Sequence, residues 1–330
     1  MTTTMRALVC HKHGSPRDLV PGTAPVPVAG PGQVRIRVTA CGINFPDLLL
    51  VEGKYQDKPP FPFIPGGEIA GIVEQLGSGA TRFAVGQRVM GATMLGGLAE
   101  FVVVRETDVE LVPAGVSLEA AAAFAGAWGT AWHALAQRGH LAAGETLLVL
   151  GAAGGTGIAA VQIGKVMGAR VIAAAGTDAK LAFLSAQGAD DVVNYRSTKL
   201  RDAVKLLTAG RGADVVFDPV GGTAFDEATR CVNWNGRLLV VGFASGVIPQ
   251  FPVNLALLKG YSVVGVYYGR FREREPAAAA ANMATLLELL AGGRLAPPVH
   301  AVFPLTQAGA ALGCLADRTV MGKIVVRIDS

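Results

Sequence analysis

Cysteine and histidine are scarce in this chain, whose 330 residues include only four cysteines and five histidines. The cysteines are far apart, and no C-x-x-C pair occurs, so neither a zinc ribbon nor a redox dithiol is indicated. No two histidines have the spacing of a metal-binding pair. We therefore expect reduced thiols, as in a cytoplasmic protein, and no bound metal.

Charge is also sparse, since 16% of the residues are charged and 51% are hydrophobic. This composition excludes a disordered chain, and the length allows two domains with separate cores. The net charge is +4, and the basic residues are dispersed apart from Arg270, Arg272 and Arg274, so a nucleic-acid partner is not indicated. The N-terminus lacks the apolar core of a signal peptide, and the uncharged stretches 120–137 and 146–164 are interpreted as buried structure, not membrane spans.

The most informative segment is 147–157, with the sequence L-L-V-L-G-A-A-G-G-T-G. An apolar run, 147–150, meets a glycine-rich turn, which a helical segment, 158–167, and a second apolar run, 171–175, follow. This order predicts a βαβ unit whose turn lets the backbone approach a pyrophosphate at the helix N-terminus. A structural turn without a ligand is the less favoured alternative.

Residues 126–267 continue this alternation of strand and helix, which predicts an α/β fold with a doubly wound parallel sheet. Its predicted strands are 147–150, 171–175, 191–194, 214–217, 238–241 and 263–266. Residues 1–125 contain short strands separated by glycine turns, which favour a barrel or sandwich. The tail, 268–330, is too short for its own core, and we expect it to return to the first domain.

The strand ends of the parallel sheet predict which dinucleotide binds. Strand two ends at Gly176 and Thr177, where an NAD-specific site usually has a carboxylate for the ribose. Gly176 leaves room for a 2′-phosphate, Lys180 supplies charge and Tyr195 supplies a phenol, which together favour NADPH. An exposed helix lysine is the alternative for Lys180.

Polar residues also occur in the segment 41–65, which we interpret as a loop, and at the ends of strands four and five. One possibility is that the side chains of Asn44, Asp47 and Tyr55 face a cleft. The other is that Asn44 and Asp47 form hydrogen bonds to their own backbone, and composition leaves both possibilities open. Gly242 and Phe243 end strand five, where a loop can lie against the nicotinamide. Asp218 is interpreted as a cap, because no histidine or serine constellation surrounds it. A cofactor site without a nucleophile triad or a metal fits direct hydride transfer.

The chain resembles the zinc-independent quinone oxidoreductases, which are zeta-crystallin-like members of the medium-chain dehydrogenase/reductase superfamily. The resemblance covers essentially the whole length. It is carried by the order and spacing of G-I-N-F-P-D at 42–47, P-G-G-E-I-A-G at 65–71, G-Q-R-V at 86–89, G-T-A-W at 129–132, G-A-A-G-G-T-G at 151–157, A-G-T-D-A-K at 175–180, D-P-V-G-G at 218–222 and G-K at 322–323.

The resemblance implies a GroES-like domain, 1–125 with 268–330, and a Rossmann domain, 126–267. It also implies the roles of individual residues. Asn44 and Thr130 are expected near the nicotinamide, with Phe243 and Lys323 along the same half of the cofactor. The pyrophosphate is expected to contact Gly154, Gly155, Thr156 and Gly157. The 2′-phosphate is expected to contact Gly176, Lys180 and Tyr195.

Zinc alcohol dehydrogenases share the implied fold but have cysteine where Asn44 stands, histidine where Gly67 stands and a third ligand near Gly126. We therefore expect zinc-independent reduction of quinones or related conjugated carbonyls by NADPH, with protons from solvent or Tyr55. An enoyl-thioester or alkenal reductase, with CoA bound at the three clustered arginines, stays open. So does a non-catalytic NADPH-binding protein with a structural or RNA-associated role. The apolar segment 262–266 is expected to join two chains in a homodimer.

Overall fold

The computed structural model describes residues 3–328, and its chain divides into two compact units, Met1–Gly126 with Ala296–Ser330, and Ala127–Leu295. The strands are β1 (Thr4–Leu8), β2 (Pro21–Pro25), β3 (Gln33–Ile43), β4 (Glu68–Leu76), β5 (Arg88–Ala92), β6 (Phe101–Arg105), β7 (Val109–Leu111), β8 (Thr146–Val149), β9 (Arg170–Ala175), β10 (Asp191–Asn194), β11 (Ala213–Asp218), β12 (Val232–Val240), β13 (Ser262–Gly265), β14 (Val299–Pro304) and β15 (Lys323–Arg327). The helices are α1 (Phe45–Val51), α2 (Leu118–Ala122), α3 (Ala125–Trp132), α4 (Gly155–Val166), α5 (Asp178–Ala186), α6 (Leu200–Leu207), α7 (Gly222–Ala228), α8 (Asn254–Lys259), α9 (Tyr268–Arg274), α10 (Pro276–Ala291) and α11 (Ala308–Ala316).

The first unit is built around β3, which has strand partners on both sides. Its seven-stranded sheet has the order β14-β15-β3-β4-β5-β7, and β6 also pairs with β3. Val34, Ile36 and Val38 alternate along β3 and are buried, because every second side chain of a strand points to the same face. They pack in the core with residues of β4, β6 and β15 and with α11.

The C-terminal tail completes the sheet of the first unit. Strand β15 runs antiparallel to β3, with Ile324 opposite Ile43 and Val326 opposite Cys41. Strand β14 is the parallel neighbour of β15 on its other side. Strand β15, near the C-terminus, therefore lies between β14 and the N-terminal strand β3 in this sheet.

The second unit has a six-stranded parallel sheet with the order β10-β9-β8-β11-β12-β13. In chain order of its own strands this is 3-2-1-4-5-6, the doubly wound order in which ligands bind outside the carboxyl ends of the strands. The predicted α/β fold with a β-rich domain and a doubly wound parallel sheet is confirmed. The bounds of the six predicted strands agree with the observed bounds to within a few residues, apart from the start of β12, which lies six residues earlier than predicted, at Val232.

Three parts of the sequence-based prediction need correction. The segment 41–65 is not a loop throughout, because β3 continues to Ile43 and α1 follows it. The three clustered arginines lie on α9, a helix that was not predicted from the sequence, and Arg270 pairs with Glu273 on that helix. The strands β2, β7 and β14 were not predicted from the sequence; β2 and β14 both include proline, which disfavours strands.

The boundary between the units also differs from the expected position at 267–268. Helices α9 and α10 belong to the second unit. The Phe271 ring stacks on His133 with centroids 3.9 Å apart, and Gln137 exchanges hydrogen bonds with Asn282. These contacts between distant segments attach 268–295 to the parallel-sheet unit.

Within residues 3–328, no helix is long and apolar enough to cross a membrane. The four cysteines are free thiols, and Cys10, Cys41 and Cys231 are buried.

Candidate functional site

The glycine-rich turn follows β8 and opens α4, as the sequence predicts. Gly151 has a positive φ of 55°, a conformation that favours glycine. A side chain at Gly157 would collide with the Gly151 carbonyl, so the turn and the first helical turn pack closely. Gly154 is the N-cap of the 12-residue helix α4.

The first N–H groups of α4 have no acceptors within the helix, and the helix dipole adds partial positive charge there. Gly155, Thr156 and Gly157 form this first turn. Gly154 has no neighbouring atom closer than 3.4 Å to where a Cβ would stand, so the backbone approach is open. The turn therefore fits a pyrophosphate.

Gly176 directly follows the end of β9 at Ala175, and its surroundings contain a cation that was not predicted from the sequence. The space beside Gly176 is occupied by Arg196, whose Nε is 3.0 Å from the position a Cβ would take. The sequence predicted open space beside Gly176. In the structure, the exposed Arg196 side chain occupies that space.

The other predicted residues of this region lie on the adjoining elements. Thr177 caps α5 by accepting a hydrogen bond from the Lys180 N–H at 3.4 Å, and the Lys180 side chain is half-buried. Tyr195 follows β10 and packs partly against the core of the parallel-sheet unit. Asp178 lies in the first turn of α5 and accepts a hydrogen bond from Asn194. It therefore serves the helix and the neighbouring strand.

A tight turn follows β11, and the segment after the parallel neighbour β12 lies beside it. Asp218 accepts hydrogen bonds from the N–H groups of Val220 and Gly221 through a single oxygen, Oδ1. Burial raises the pKa of this carboxyl to about 6, and the two hydrogen bonds oppose that shift. Asp218 is thus a turn cap, as the sequence predicts. Phe243, 36% exposed, follows Gly242 on the neighbouring loop and contacts Gly221.

Thr130 lies on α3, where its neighbour Gly129 is covered by another helix. A side chain at Gly129 would collide with the Tyr268 hydroxyl of α9. Tyr268 also lies near His133, with ring centroids 6.5 Å apart. Glycine at 129 therefore allows α9 to pack on this face of α3.

A second polar centre is buried in the first unit, at one end of three adjacent strands. Asn44 follows β3, Glu68 begins β4 and Lys323 begins β15. Because Gly42 is opposite Glu68 and Ile43 is opposite Ile324, the register of the sheet brings the three side chains together.

The contacts within this centre are short and complementary. The Lys323 ammonium is 2.6 Å from Glu68 Oε2 and 2.5 Å from Asn44 Oδ1, and both charged side chains are only 1% exposed. Asn44 Nδ2 donates to Glu68 Oε2 at 2.8 Å. The remaining oxygen, Glu68 Oε1, accepts a hydrogen bond from the Gly126 N–H.

Asp47 lies next to this centre and holds two backbone segments. Its Oδ2 accepts a hydrogen bond from the Asn44 N–H, and its Oδ1 accepts one from the Gly66 N–H. Burial raises the pKa of Asp47 to about 6, while the hydrogen bonds and the Lys323 charge oppose the rise. Of the two readings left open from the sequence, capping therefore describes Asp47, whereas the Asn44 side chain faces Glu68 and Lys323.

Tyr55 is partly buried and packs against the core cluster of Cys10, Leu50 and Phe63. Its neighbourhood is aromatic, since Phe61 stacks on Phe63 with centroids 5.5 Å apart. No group of three or more histidine, cysteine, aspartate or glutamate side chains suited to a metal ion occurs within the described range 3–328.

Comparison with known proteins supports this description. The family models for an alcohol dehydrogenase GroES-like domain and a zinc-binding dehydrogenase match residues 30–114 and 155–285. The chain is 39% identical over 324 residues to a quinone oxidoreductase-like protein 2 homolog of Nematostella vectensis, covering 97% of this chain and 88% of that protein.

Solved structures match over nearly the whole length as well. A mycobacterial protein complexed with NADPH has a TM-score of 0.92 and 30% identity, covering 98% of this chain and 100% of that one. A structure described as an NAD-dependent alcohol dehydrogenase has a TM-score of 0.87 and 30% identity, with the same coverage of both chains.

Proposed function

Because the chain belongs to the medium-chain dehydrogenase/reductase superfamily, among its quinone oxidoreductase-like members, we propose that it reduces quinones or related conjugated carbonyls with NADPH. The family makes it an oxidoreductase with a nicotinamide cofactor. The preference for the 2′-phosphorylated cofactor and the identity of the acceptor are our proposals. The observation that carries the cofactor assignment is the Arg196 side chain at Gly176.

The end of β9 suits a phosphate better than a bare ribose. An NAD site places a carboxylate at this strand end to accept hydrogen bonds from the ribose hydroxyls. Here a glycine stands at that position, Arg196 lies beside it and Lys180 is four residues further. An arginine and a lysine favour a doubly charged phosphate. In this proposal Arg196, Lys180 and Tyr195 bind the 2′-phosphate, and Thr177 holds the start of α5 beside it.

The rest of the cofactor is assigned to the glycine turn and the loops beside it. Gly154, Gly155, Thr156 and Gly157 would hold the pyrophosphate at the N-terminus of α4. Gly242 and Phe243 would lie along the nicotinamide half, with Thr130 on the same half. Asn44 would contact the nicotinamide itself. Lys323 acts there through Asn44 rather than by a contact of its own, because its ammonium is buried in the ion pair with Glu68.

The cofactor, when bound, supplies a hydride from C4 of its nicotinamide. Reduction of a quinone to a hydroquinone needs that hydride and one proton, because the hydride brings both electrons and one hydrogen, and the proton neutralises the oxyanion that forms. Conjugated carbonyls need little activation, so positioned binding suffices without a dedicated acid–base pair. Tyr55 or solvent would donate this proton, and the aromatic side chains near Tyr55 suit a planar, apolar acceptor.

The buried polar centre of the first unit supports zinc-independent chemistry. By the resemblance, Asn44 and Gly67 stand at two zinc-ligand positions of the zinc relatives, and the third falls near Gly126. Neither asparagine nor glycine supplies the thiolate or imidazole that zinc prefers. Glu68 is bonded instead to Asn44, Lys323 and the Gly126 N–H.

The second unit carries the surface that supports a homodimer. Strand β13 is paired with β12 and ends the sheet order, and its Val263 is 37% exposed. Leu257 and Leu258 on the preceding helix α8 are 81% and 71% exposed, and Trp234 of β12 is 66% exposed. An apolar sheet edge with exposed leucines beside it invites pairing with a second copy. We assign it to a two-fold contact between β13 strands.

The acceptor class is tested by following NADPH oxidation at 340 nm with 1,4-benzoquinone, crotonyl-CoA and an alkenal. We expect turnover with the quinone to exceed that with crotonyl-CoA. Faster turnover of crotonyl-CoA would identify an enoyl-thioester reductase instead. Tight NADPH binding without oxidation by any of these acceptors would indicate a non-catalytic NADPH-binding protein.

A further inference from the structure

The Lys323 cluster, which we define as Asn44, Glu68 and Lys323, is unusual because an ion pair is fully buried beside a carboxamide. The ammonium has three hydrogens and three acceptors: Glu68 Oε2, Asn44 Oδ1 and, at 3.3 Å, the Ile43 carbonyl. Burying a charged pair is costly unless every donor and acceptor is matched. The charged pair of Lys323 and Glu68 meets that condition, and its charges sum to zero.

The charges of the cluster determine which way the Asn44 amide points. An ammonium only donates hydrogen bonds and an ionised carboxylate only accepts them. Lys323 therefore requires Asn44 Oδ1 on its side, and Glu68 requires Asn44 Nδ2 on the other. Rotating the amide by half a turn would place donor against donor and acceptor against acceptor.

We propose that Lys323 and Glu68 are positioning residues that fix the orientation of the Asn44 carboxamide, with the ammonium serving as an internal cation in a region where zinc relatives bind their metal. The inference rests on the proposed function, in which Asn44 contacts the nicotinamide. One face of Asn44 is held by the pair, so the orientation of any remaining amide hydrogen or lone pair toward the cofactor is fixed in advance.

The paired substitution Lys323→Met with Glu68→Gln separates orientation from stability. Lys323→Met alone leaves a buried carboxylate unpaired and should destabilise the fold. In the double variant, the introduced glutamine can accept from the Gly126 N–H with its side-chain oxygen and turn its NH₂ group toward Asn44. The buried charge is then removed, but Asn44 must rotate to accept this new donor. Stability should recover while cofactor binding does not.

Glu68→Gln alone is the opposite case. Lys323 remains and still donates to Asn44 Oδ1, so one of the two partners that orient the amide is kept. Its NADPH affinity should fall less than that of the double variant, even if the unfolding midpoint falls. A matched control is Lys165→Met with Asp190→Asn, which removes a lysine–carboxylate pair of 2.7 Å from a half-exposed surface. Surface pairs contribute little, so this control should change NADPH affinity less than about twofold.

The measurements are the thermal midpoint, the NADPH Kd from nicotinamide fluorescence, and kcat/KM with 1,4-benzoquinone. We expect the double variant to recover most of the midpoint lost by Lys323→Met and to bind NADPH about 10- to 100-fold more weakly than wild type, as for other partners that orient a binding group. Asn44→Ala should weaken binding about tenfold or more in wild type but less than about twofold in the double variant.

Wild-type NADPH affinity in the double variant, an equal loss in Glu68→Gln, or equal effects of Asn44→Ala in both backgrounds would overturn the positioning role. These results would leave the proposed function intact. If wild type bound no NADPH at all, the proposed function would fail, and the inference with it.

Discussion

Replacing Gly176 with aspartate tests the cofactor assignment at its most specific point. The Cβ of the new residue would stand 3.0 Å from Arg196 Nε and 3.3 Å from its Cδ. Arg196 is long and exposed, so it can shift and pair with the new carboxylate. The substitution would thus neutralise one proposed phosphate contact and add a negative charge, while supplying the acceptor that a ribose hydroxyl needs.

The size of the effect follows from the contacts that change. A hydrogen bond to a charged group contributes about 1.5–3 kcal/mol, and 1.4 kcal/mol corresponds to about a tenfold change. Loss of the Arg196 contact, with repulsion added, should lower kcat/KM for NADPH about 100-fold or more. Turnover with NADH should stay the same or rise, so the ratio of the two should move toward NADH by about two to three orders of magnitude.

Three further variants control for the mechanism. Gly176→Ala adds the Cβ without the charge and should alter the use of both cofactors about equally and only a few-fold. Arg196→Ala and Lys180→Ala should each lower kcat/KM for NADPH about tenfold and leave NADH turnover nearly unchanged. The assay is the initial rate at 340 nm with saturating 1,4-benzoquinone. If Gly176→Asp lowered kcat/KM equally for both cofactors, or if Arg196→Ala left kcat/KM for NADPH unchanged, this region would not bind the 2′-phosphate.

Three other predictions follow from the same structure. The purified protein should contain no stoichiometric zinc, because the three positions of the zinc ligands in relatives hold asparagine and glycine; about one zinc per chain by elemental analysis would contradict this. Light scattering at micromolar concentration should give the mass of a dimer, and Val264→Lys on β13 should yield monomers, whereas a wild-type monomer would refute the assigned contact. Asp218→Asn keeps an oxygen for the N–H groups of Val220 and Gly221 but cannot ionise. Since the folded pKa of about 6 lies above the usual 3.8, the ionised wild type loses unfolding free energy as pH rises from about 4 to 6. The variant should therefore match wild type near pH 4 and exceed it by up to about 3 kcal/mol at pH 7 in urea titrations, and equal stabilities at both pH values would contradict the raised pKa.

The parallel-sheet unit could be predicted from sequence because its signals are local. Most of its strands contain a short apolar run, glycine follows several of them, and α5 begins with the cap Thr177. The observed strand order is the one typical of doubly wound sheets. The phosphate turn at Gly154 combines three such local features: a preceding strand, glycines and a following helix.

Helix α1 carried a local signal that the sequence analysis did not use. Asn44 stands at its N-cap, Pro46 lies in its first turn, and Asp47 is three residues beyond the cap. This is the composition of a helix start. The boundary at Leu295 had no comparable signal, because the contacts of Phe271 with His133 and of Asn282 with Gln137 join segments more than 130 residues apart.

Two residues of the candidate site could not be predicted for the same reason. Glu68 appeared only as a letter in a motif, and its importance lies in the register that places it beside Lys323, 255 residues away. Arg196 follows a predicted strand, but its position beside Gly176 depends on how the chain turns after β10. Charge pairing between distant segments is set by the assembled sheet, which composition and spacing do not show.

The central claim, NADPH-dependent reduction of quinones, is tested most directly by initial rates of the purified wild-type protein with 1,4-benzoquinone and either NADPH or NADH. The account predicts turnover with a kcat/KM for NADPH about 30- to 1,000-fold above that for NADH, from one or two charged contacts to the 2′-phosphate. Equal use of both cofactors, or no oxidation of either in the presence of the quinone, would contradict it.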